Sequence, residues 1–586
     1  MKKKYHIIVI GTIALFLAFQ FGCQKASDFL DKKVSTSLNE KTVFSDSART
    51  MDFLAGVYNA LIIWHGQQYT SNSPDRTLTA ITDESNGRYP SGGMLENQVI
   101  SGSYGGSFTG WLDNSWSFLY THIRAANIFL KDVGQSPLSA ALKKRTKAEA
   151  RFLRAYFYSL LMEGWGGVPL VGDSIYDLNA QAQAVRATYA DCVDYVVSEL
   201  DAIAPQLPLT YSGLNYGRIT RGACLALKAR VLLFAASPLF NGGSIATDEK
   251  LEALTGYPTH DPGRWQKALK AAQAVVDLGV YHLEVDNTTQ PGYGFYSVFL
   301  KRVNQEYILA YMMEPNVYLE RYNLPPTRGY WASYNRFPTQ EMVDAFPMAN
   351  GLPINDPASG YDPDNPYKNR DPRFYYSIIY NGSLYYDKHG RKMKPVWTYD
   401  GSGRDAIVPL SSGGATHTGY YWRKMMDDQV YYRSGGNTDR CLPLIRYAGV
   451  LLNLAEAANE TGNTALAIQQ LIKLRQRAGI EPGPAGQYGL PANPSKDEVR
   501  KLIHRARFVE LAFEGKRCWD LRRWKAYSLI QNKYMHGMKI TKDGDTYTYT
   551  RIQLRKHVGF QDKLYLFRFP QDEVAIDRGI LQNPGW

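Results

Sequence analysis

The strongest constraint on the fold is a pair of apolar stripes around residue 460. Leu451, Leu454 and Ala455 recur at helical spacing, and Ala467, Leu471 and Leu474 repeat the pattern after Glu460, Thr461, Gly462 and Asn463. A stripe with a period near 3.6 residues has to be buried against something. The four-residue connection is short enough to send the second helix back along the first. Small residues at 455 and 467 let the two backbones approach while the leucines fill the seam, as in a tetratricopeptide hairpin. Hairpins of this kind bury their faces by stacking on neighbours, so other helical pairs must lie elsewhere in the chain.

Apolar spacing supplies them. It predicts helices over 47–64, 114–131, 189–204, 221–236, 265–278, 444–459 and 465–478, and another in the run AEARFLRAYFYSLLMEGW, which Gly166, Gly167 and Pro169 stop. The stretch 72–110 is rich in Gly, Ser, Asn and Tyr and reads as loops. Between 281 and 440 the periodicity dissolves, leaving short strand-like pieces such as YILAYM. A hydrophilic insert of that length has to pack on the helices or serve a site. The reading is a mainly α chain: one domain over 42–586, a right-handed tetratricopeptide-like repeat scaffold mainly at 42–280 and 441–524, and a large irregular, loop-rich lobe mainly at 281–440.

The N-terminus reads as an export signal over 1–22. Lys2, Lys3 and Lys4 precede the uncharged run 7–21, which ends at Gly22 and Cys23. At ~1.5 Å per residue that run falls short of a ~30 Å hydrocarbon layer. A small residue followed at once by cysteine marks Cys23 for lipid attachment, and two or three acyl chains, at ~0.8 kcal/mol per buried methylene, would hold the protein on a membrane. Residues 23–41 then form the lipidated N-terminus and tether. The formal charge of +12 falls to about +9 once the stub lysines leave, and the remainder is spread along the chain. That distribution excludes a nucleic-acid footprint. Cys192, Cys224, Cys441 and Cys518 are too far apart for a disulfide scaffold and read mostly as buried thiols. The ten histidines show no zinc spacing, and no phosphate loop or nucleophile elbow is present, so an enzyme is not expected. No cofactor is called for; exposed Asp and Asn loops would admit calcium but lack the ordered spacing of a calcium loop.

Four blocks resemble the SusD/RagB family of outer-membrane nutrient-binding lipoproteins of Bacteroidetes: AEARFLRAYFYSLLMEGWGGVPL at 148–170, PTQEMVDAFPMANG at 338–351, RARFVELAFEGKRCWDLRRW at 505–524 and LFRFPQDEVAIDRGILQNPGW at 566–586. IRYAGVLLNLAEAANETG at 445–462 adds to them. The resemblance implies four tetratricopeptide-like units supporting a variable lobe. It implies capture of an oligosaccharide, or in a minority of cases a peptide, for a SusC-like TonB-dependent transporter at the outer membrane. A lipid-anchored protein facing the cell exterior is expected, although the positions after Cys23 carry only Asp28 and Asp31 as acids.

Within these blocks Glu510, Glu514, Arg517, Asp520 and Trp524 have the spacing of a structural ion network. The terminal PQDE and NPGW read as chain-locking turns. Sugar recognition needs a flat aromatic face beside directional polar groups in a concave setting. Two segments offer both: SGSYGGSFTGWLDNSW at 101–116, with Tyr104, Trp111, Asp113 and Asn114, and GYWASYNR at 329–336, with Tyr330, Trp331, Tyr334 and Asn335. Trp111 and Trp331 are the expected stacking residues, Trp116 reads as core, and Asp83 and Asn86 are further candidates. Two alternatives stay open at this point: a surface glycoside hydrolase, which needs two facing carboxyls, and a protein-binding adhesin or scaffold that uses the helical groove.

Overall fold

The computed structural model describes residues 40–62, 78–87, 95–176, 185–329, 336–387, 392–430, 437–576 and 579–586. The helices longer than seven residues are α1 (Ser47–Tyr58), α2 (Gly106–Asp132), α3 (Ala140–Trp165), α4 (Tyr189–Ile203), α5 (Arg221–Ala236), α6 (Gly263–Val276), α7 (Tyr447–Glu460), α8 (Thr464–Arg477) and α9 (Lys496–Glu510). Their starts are written in side chains. Ser139 accepts the Leu142 amide ahead of α3, and Asn463 accepts the Leu466 amide ahead of α8. Reciprocal capping boxes, Thr188 with Asp191 and Ser495 with Glu498, open α4 and α9. At the end of α3, Gly166 takes a φ of 81°. A Cβ on Gly167 would lie 2.2 Å from the Ala187 carbonyl oxygen, so the stop at this double glycine is steric as well as conformational.

Successive helices pack as neighbours: α2 on α3, α3 on α4, α4 on α5, α5 on α6, α6 on α7, and α7 on both α8 and α9. Leu451, Ala455, Ala467, Leu471 and Leu474 meet Val499 and Ile503 in one core between α7, α8 and α9, while Leu454 faces the main core on the other side of α7. The fold is mostly helical, as the spacing predicts. Three local readings differ. The described part of 72–110 contains a helix at Leu95–Ser101, and α2 begins at Gly106 rather than 114. Burial of Phe108, Trp111 and Leu112 outweighs the low helix propensity of the surrounding glycines. Leu444 belongs to a strand that leads into α7 instead of to the helix itself.

The lobe is built on short antiparallel pairs. The strands are β1 (Ser85–Gly87), β2 (Tyr307–Asn316), β3 (Arg336–Pro338), β4 (Ile378–Ile379), β5 (Leu384–Tyr386), β6 (Met393–Pro395), β7 (Tyr421–Trp422), β8 (Thr438–Arg446), β9 (Tyr534–Asp543) and β10 (Thr546–Lys556). Strands β2 and β8 pair from Tyr307 opposite Arg446 to Asn316 opposite Thr438, so the two ends of the lobe lie side by side. The β9–β10 hairpin turns at Gly544, whose φ is 55°, and its Met538 amide donates to the Thr418 carbonyl at 2.8 Å. The C-terminal tail returns to the first helices: Asn583 Nδ2 donates to the carbonyls of Trp165 and Phe567, and the Trp586 indole donates to those of Lys563 and Leu566. Among the described residues no helix is long and apolar enough to cross a membrane.

Candidate functional site

The acidic and basic residues of the 505–524 block form closed networks. Arg446 donates to Glu306 at 2.7 Å, to Glu510 at 2.8 Å and to both oxygens of Glu514 at 2.6 and 2.8 Å. Arg373 reaches the other oxygen of Glu510 at 3.0 Å, Arg477 pairs with Glu510 as well, and Lys424 bonds Glu514 at 2.8 Å. Burial pushes the Glu510 carboxyl up, yet Arg477, Arg446 and Arg373 outweigh it and hold the group far below the usual carboxylate range. A second network joins Asp520 to Arg507 and Arg523 at 2.9 Å each, and Glu456 accepts from Arg523 and from the Trp524 indole. Against burial, Arg507 and Arg523 hold the Asp520 carboxyl down at about 2. Both oxygens of Glu510, Glu514 and Asp520 are engaged inside the protein, so neither network presents a carboxyl to a substrate. The first locks the lobe, through Arg373 and Lys424, to the scaffold.

The 101–116 segment does not form an open aromatic face. Trp111 is 6 % exposed; it packs edge-on to Phe567 at 5.6 Å and beside Phe108 at 6.4 Å. The expectation that its ring stacks on a ligand is therefore corrected: the early start of α2 turns it into the core. Tyr104, held at a φ of 35°, packs edge-on to Trp586 at 5.8 Å, and burial pushes its phenol up to about 12. Asp113 is spent on Arg568, at 2.9 and 2.7 Å, and Asn114 stands exposed on α2. Trp116 is core, against Phe569 and Trp165. Tyr104, Trp111, Asp113 and Trp116 together hold the C-terminal tail.

Asp83 and Asn86 are buried as well. Asp83 makes a bidentate pair with Arg517 at 2.8 and 2.7 Å, and the Asn86 amide donates to the Gly87 carbonyl at 3.2 Å. Neither side chain is open to a ligand. Their strand has a positional consequence, however: β1 pairs with β3, placing Gly87 opposite Arg336, which directly follows Asn335. Tyr330, Trp331, Tyr334 and Asn335 lie outside the described residues, as does Cys23. The chain just before them is also fixed, since the Thr327 amide donates to Asp405 at 2.8 Å and Arg328 Nη2 reaches the Pro395 carbonyl at 3.1 Å.

That second attachment leads to the aromatic surface missing from the sequence-derived candidates. Trp397, two residues after Pro395, is 39 % exposed. Its ring stacks on Tyr547 of β10 with centroids 6.1 Å apart and planes 13° apart, and Tyr399 lies 6.0 Å from Trp397 and 5.8 Å from Tyr547. Lys542 Nζ stands 5.7 Å from the centroids of both tyrosines. The platform is held by backbone: Asn381 Oδ1 accepts the amides of Thr398 and Tyr399, and the Asp400 amide donates to the Ile540 carbonyl at 2.8 Å. A Cβ on Gly382 would sit 3.5 Å from the Trp397 ring, in ordinary contact beneath it. Asp400 and Lys539, paired at 3.0 Å, supply polar groups at the rim. A supported ring trio with a cation and a carboxylate alongside can take the C–H face of a pyranose and bond its hydroxyls. The signal was present in VWTYDGSG, where aromatics two apart precede a glycine turn, and in the alternation of TYTYT.

The repeat scaffold, the lobe and the four sequence blocks coincide with known proteins over almost the whole chain. A family model described as the SusD family matches residues 299–586, and one described as starch-binding, associating with the outer membrane, matches 28–233. The chain belongs to the SusD/RagB family. Among its relatives, SusD-like protein P38 of Formosa agariphila is 24 % identical over 420 residues, 69 % of this chain and 71 % of that one. A SusD-like protein from Bacteroides fragilis superposes with a TM-score of 0.75 at 25 % identity, covering 94 % of this chain and 99 % of that one. A SusD-like carbohydrate-binding protein from the same organism gives 0.70 at 21 % identity, covering 92 % and 100 %. In this SusD/RagB chain the four cysteines of the body are free thiols, three buried and Cys441 half-buried. Among the described residues no group of three or more His, Cys, Asp or Glu side chains is gathered for a metal ion.

Proposed function

We propose that this SusD/RagB protein captures an oligosaccharide at the cell surface and passes it to a partner TonB-dependent outer-membrane transporter. The observation that carries the reading is the platform of exposed Trp397 with half-buried Tyr399 and Tyr547, in a fold shared with a carbohydrate-binding protein. Tyr330, Trp331, Tyr334 and Asn335 are kept as further ligand contacts on their residue types alone. Residues 1–22 are removed on export, Cys23 carries the lipid, and 42–586 act as one body; the description of the N-terminal family model, association with the outer membrane, supports this placement. Capture consumes no chemistry, so binding free energy is spent on holding the glycan until the transporter shares it, with the anchor keeping the two at high effective concentration. Peptides are the minority alternative.

A glycan and peptide array with the chain from Lys25 onward identifies the ligand class, and calorimetry on Trp397→Ala locates it. Loss of one binding hot spot costs ~2 kcal/mol or more, roughly 30-fold in affinity. Unchanged affinity removes the platform from the site, and release of new reducing ends by the purified chain replaces capture with hydrolysis.

A further inference from the structure

A second surface lies on the helical scaffold, away from the aromatic platform. Helix α5 packs against both α4 and α6. Above it a groove of about 380 Å³ opens, inside the ~300–1,000 Å³ range of ligand pockets. Its floor is aliphatic: Val193 and Val197 from α4, Leu225 and Leu232 from α5, Ala271 and Ala274 from α6. The spacings of four, seven and three residues put each pair on one helical face. No aromatic face is open to stack on a sugar, because the one ring in the lining, Tyr257, is covered by the Arg264 guanidinium 3.6 Å from its centroid.

The rim is basic. Lys228 is neutralised by Asp201, at 2.7 Å to each carboxylate oxygen. Among the described residues Arg264 bonds neutral acceptors, Asn241 Oδ1 and the Thr259 carbonyl, and makes no ion pair. Lys267 and Lys270 are exposed on α6, and neither has an ion-pair partner among the described residues. Three cations without a carboxylate partner therefore face one carboxylate, that of the exposed Asp194. An aliphatic floor selects a branched apolar side chain, and the surplus cations select carboxylates flanking it.

We propose that the α4–α5–α6 groove docks a short acidic segment of a partner protein, with an aliphatic anchor on the floor and flanking Asp or Glu side chains against Lys267, Lys270 and Arg264. This site is separate from glycan capture and does not depend on it.

The test uses the soluble chain from Lys25 onward and fluorescence anisotropy with three labelled peptides: leucines interspersed with aspartate and glutamate, the same peptide with lysines in place of the acids, and the same with serines in place of the leucines. The acidic leucine peptide is expected to bind saturably, more weakly as salt shortens the ~10 Å screening length at 0.1 M, and roughly tenfold or more better than either control. Lys267→Glu with Lys270→Glu is expected to abolish the preference while leaving the melting temperature and the Trp397-dependent glycan affinity unchanged. Equal binding of the three peptides, or no saturable binding, overturns the proposal. So does competition by an acidic oligosaccharide, which makes the groove a glycan site, or self-association that the double variant abolishes, which makes its occupant a second copy.

Discussion

Replacing Arg446 by Met tests whether the buried ion network holds the lobe to the scaffold. Arg446 is the common partner of Glu306, Glu510 and Glu514, all buried, and it also donates to the Glu510 carbonyl at 2.7 Å. Methionine fills much of the volume, but it leaves three carboxylates sharing Arg373, Lys424 and Arg477. Removing one partner from a buried pair costs ~3–5 kcal/mol, because the charge left behind is uncompensated. For a body of roughly 540 residues, an unfolding entropy of ~2.1 cal/mol/K per residue amounts to ~1.1 kcal/mol/K. A loss of ~4 kcal/mol then lowers the melting temperature by ~3–4 °C. The pH dependence gives a second handle. The Glu510 and Glu514 carboxyls are held below their unfolded value near 4.5, so their contribution is present above that pH and is lost as the pH falls through the folded values. In the variant Glu514 loses its strongest cation and Glu510 loses one of the three guanidiniums around it, so both take up protons earlier. The gap between wild type and variant, read by differential scanning fluorimetry, should be widest at pH 7 and should narrow below about pH 4.5. A variant that melts with or above the wild type, or a gap that stays constant down to pH 3, refutes this account.

Gly167→Ala forces a Cβ to within 2.2 Å of the Ala187 oxygen and 2.9 Å of the Leu254 oxygen; a loss of ~1–3 kcal/mol is expected from overpacking, and an unchanged urea midpoint contradicts it. Burial lowers the His557 imidazole to about 4. Because the unfolded chain then binds more protons, stability should decline as the pH drops from about 6.5 to about 4, by ~3 kcal/mol from this group. An NMR titration of His557 with a midpoint near 6.5 would sink that prediction. Intact-mass spectrometry of the membrane-extracted protein should find Cys23 N-terminal and acylated, and an unmodified thiol there removes the anchor.

The helices were legible because their evidence is local. Period, cap and stop residues sit within a few positions of each other, as in Thr188 with Asp191 or Gly166 with Gly167, and the spacing of Leu451, Ala455, Ala467 and Leu471 specifies both the hairpin and its seam. The proposed ligand surface was not legible, because exposure is a property of the whole fold. Trp111 and Trp397 both stand near glycines in sequence, but the C-terminal tail comes back to cover Trp111 with Phe567, whereas Trp397 lies on the outer side of Tyr547. Nothing within 400 residues of Trp111 announces Phe567. The β9–β10 hairpin is different: its alternation was readable in TYTYTRIQLRK, and a reading centred on helical period passes over it.

The pairing of β2 with β8 closes the chain on itself on either side of the lobe, like the two halves of a clasp. Everything between them starts and finishes at one place, and closing a loop grows costlier only slowly, by ~0.6 kcal/mol for each doubling of its length. The segment can therefore change in length with little loop-closure penalty, provided the replacement keeps Arg373 and Lys424 on Glu510 and Glu514, the β3 pairing with β1, and the contacts of Asp400 and Thr418 with β9. Divergence in what such proteins hold can thus accumulate here while the scaffold stays fixed.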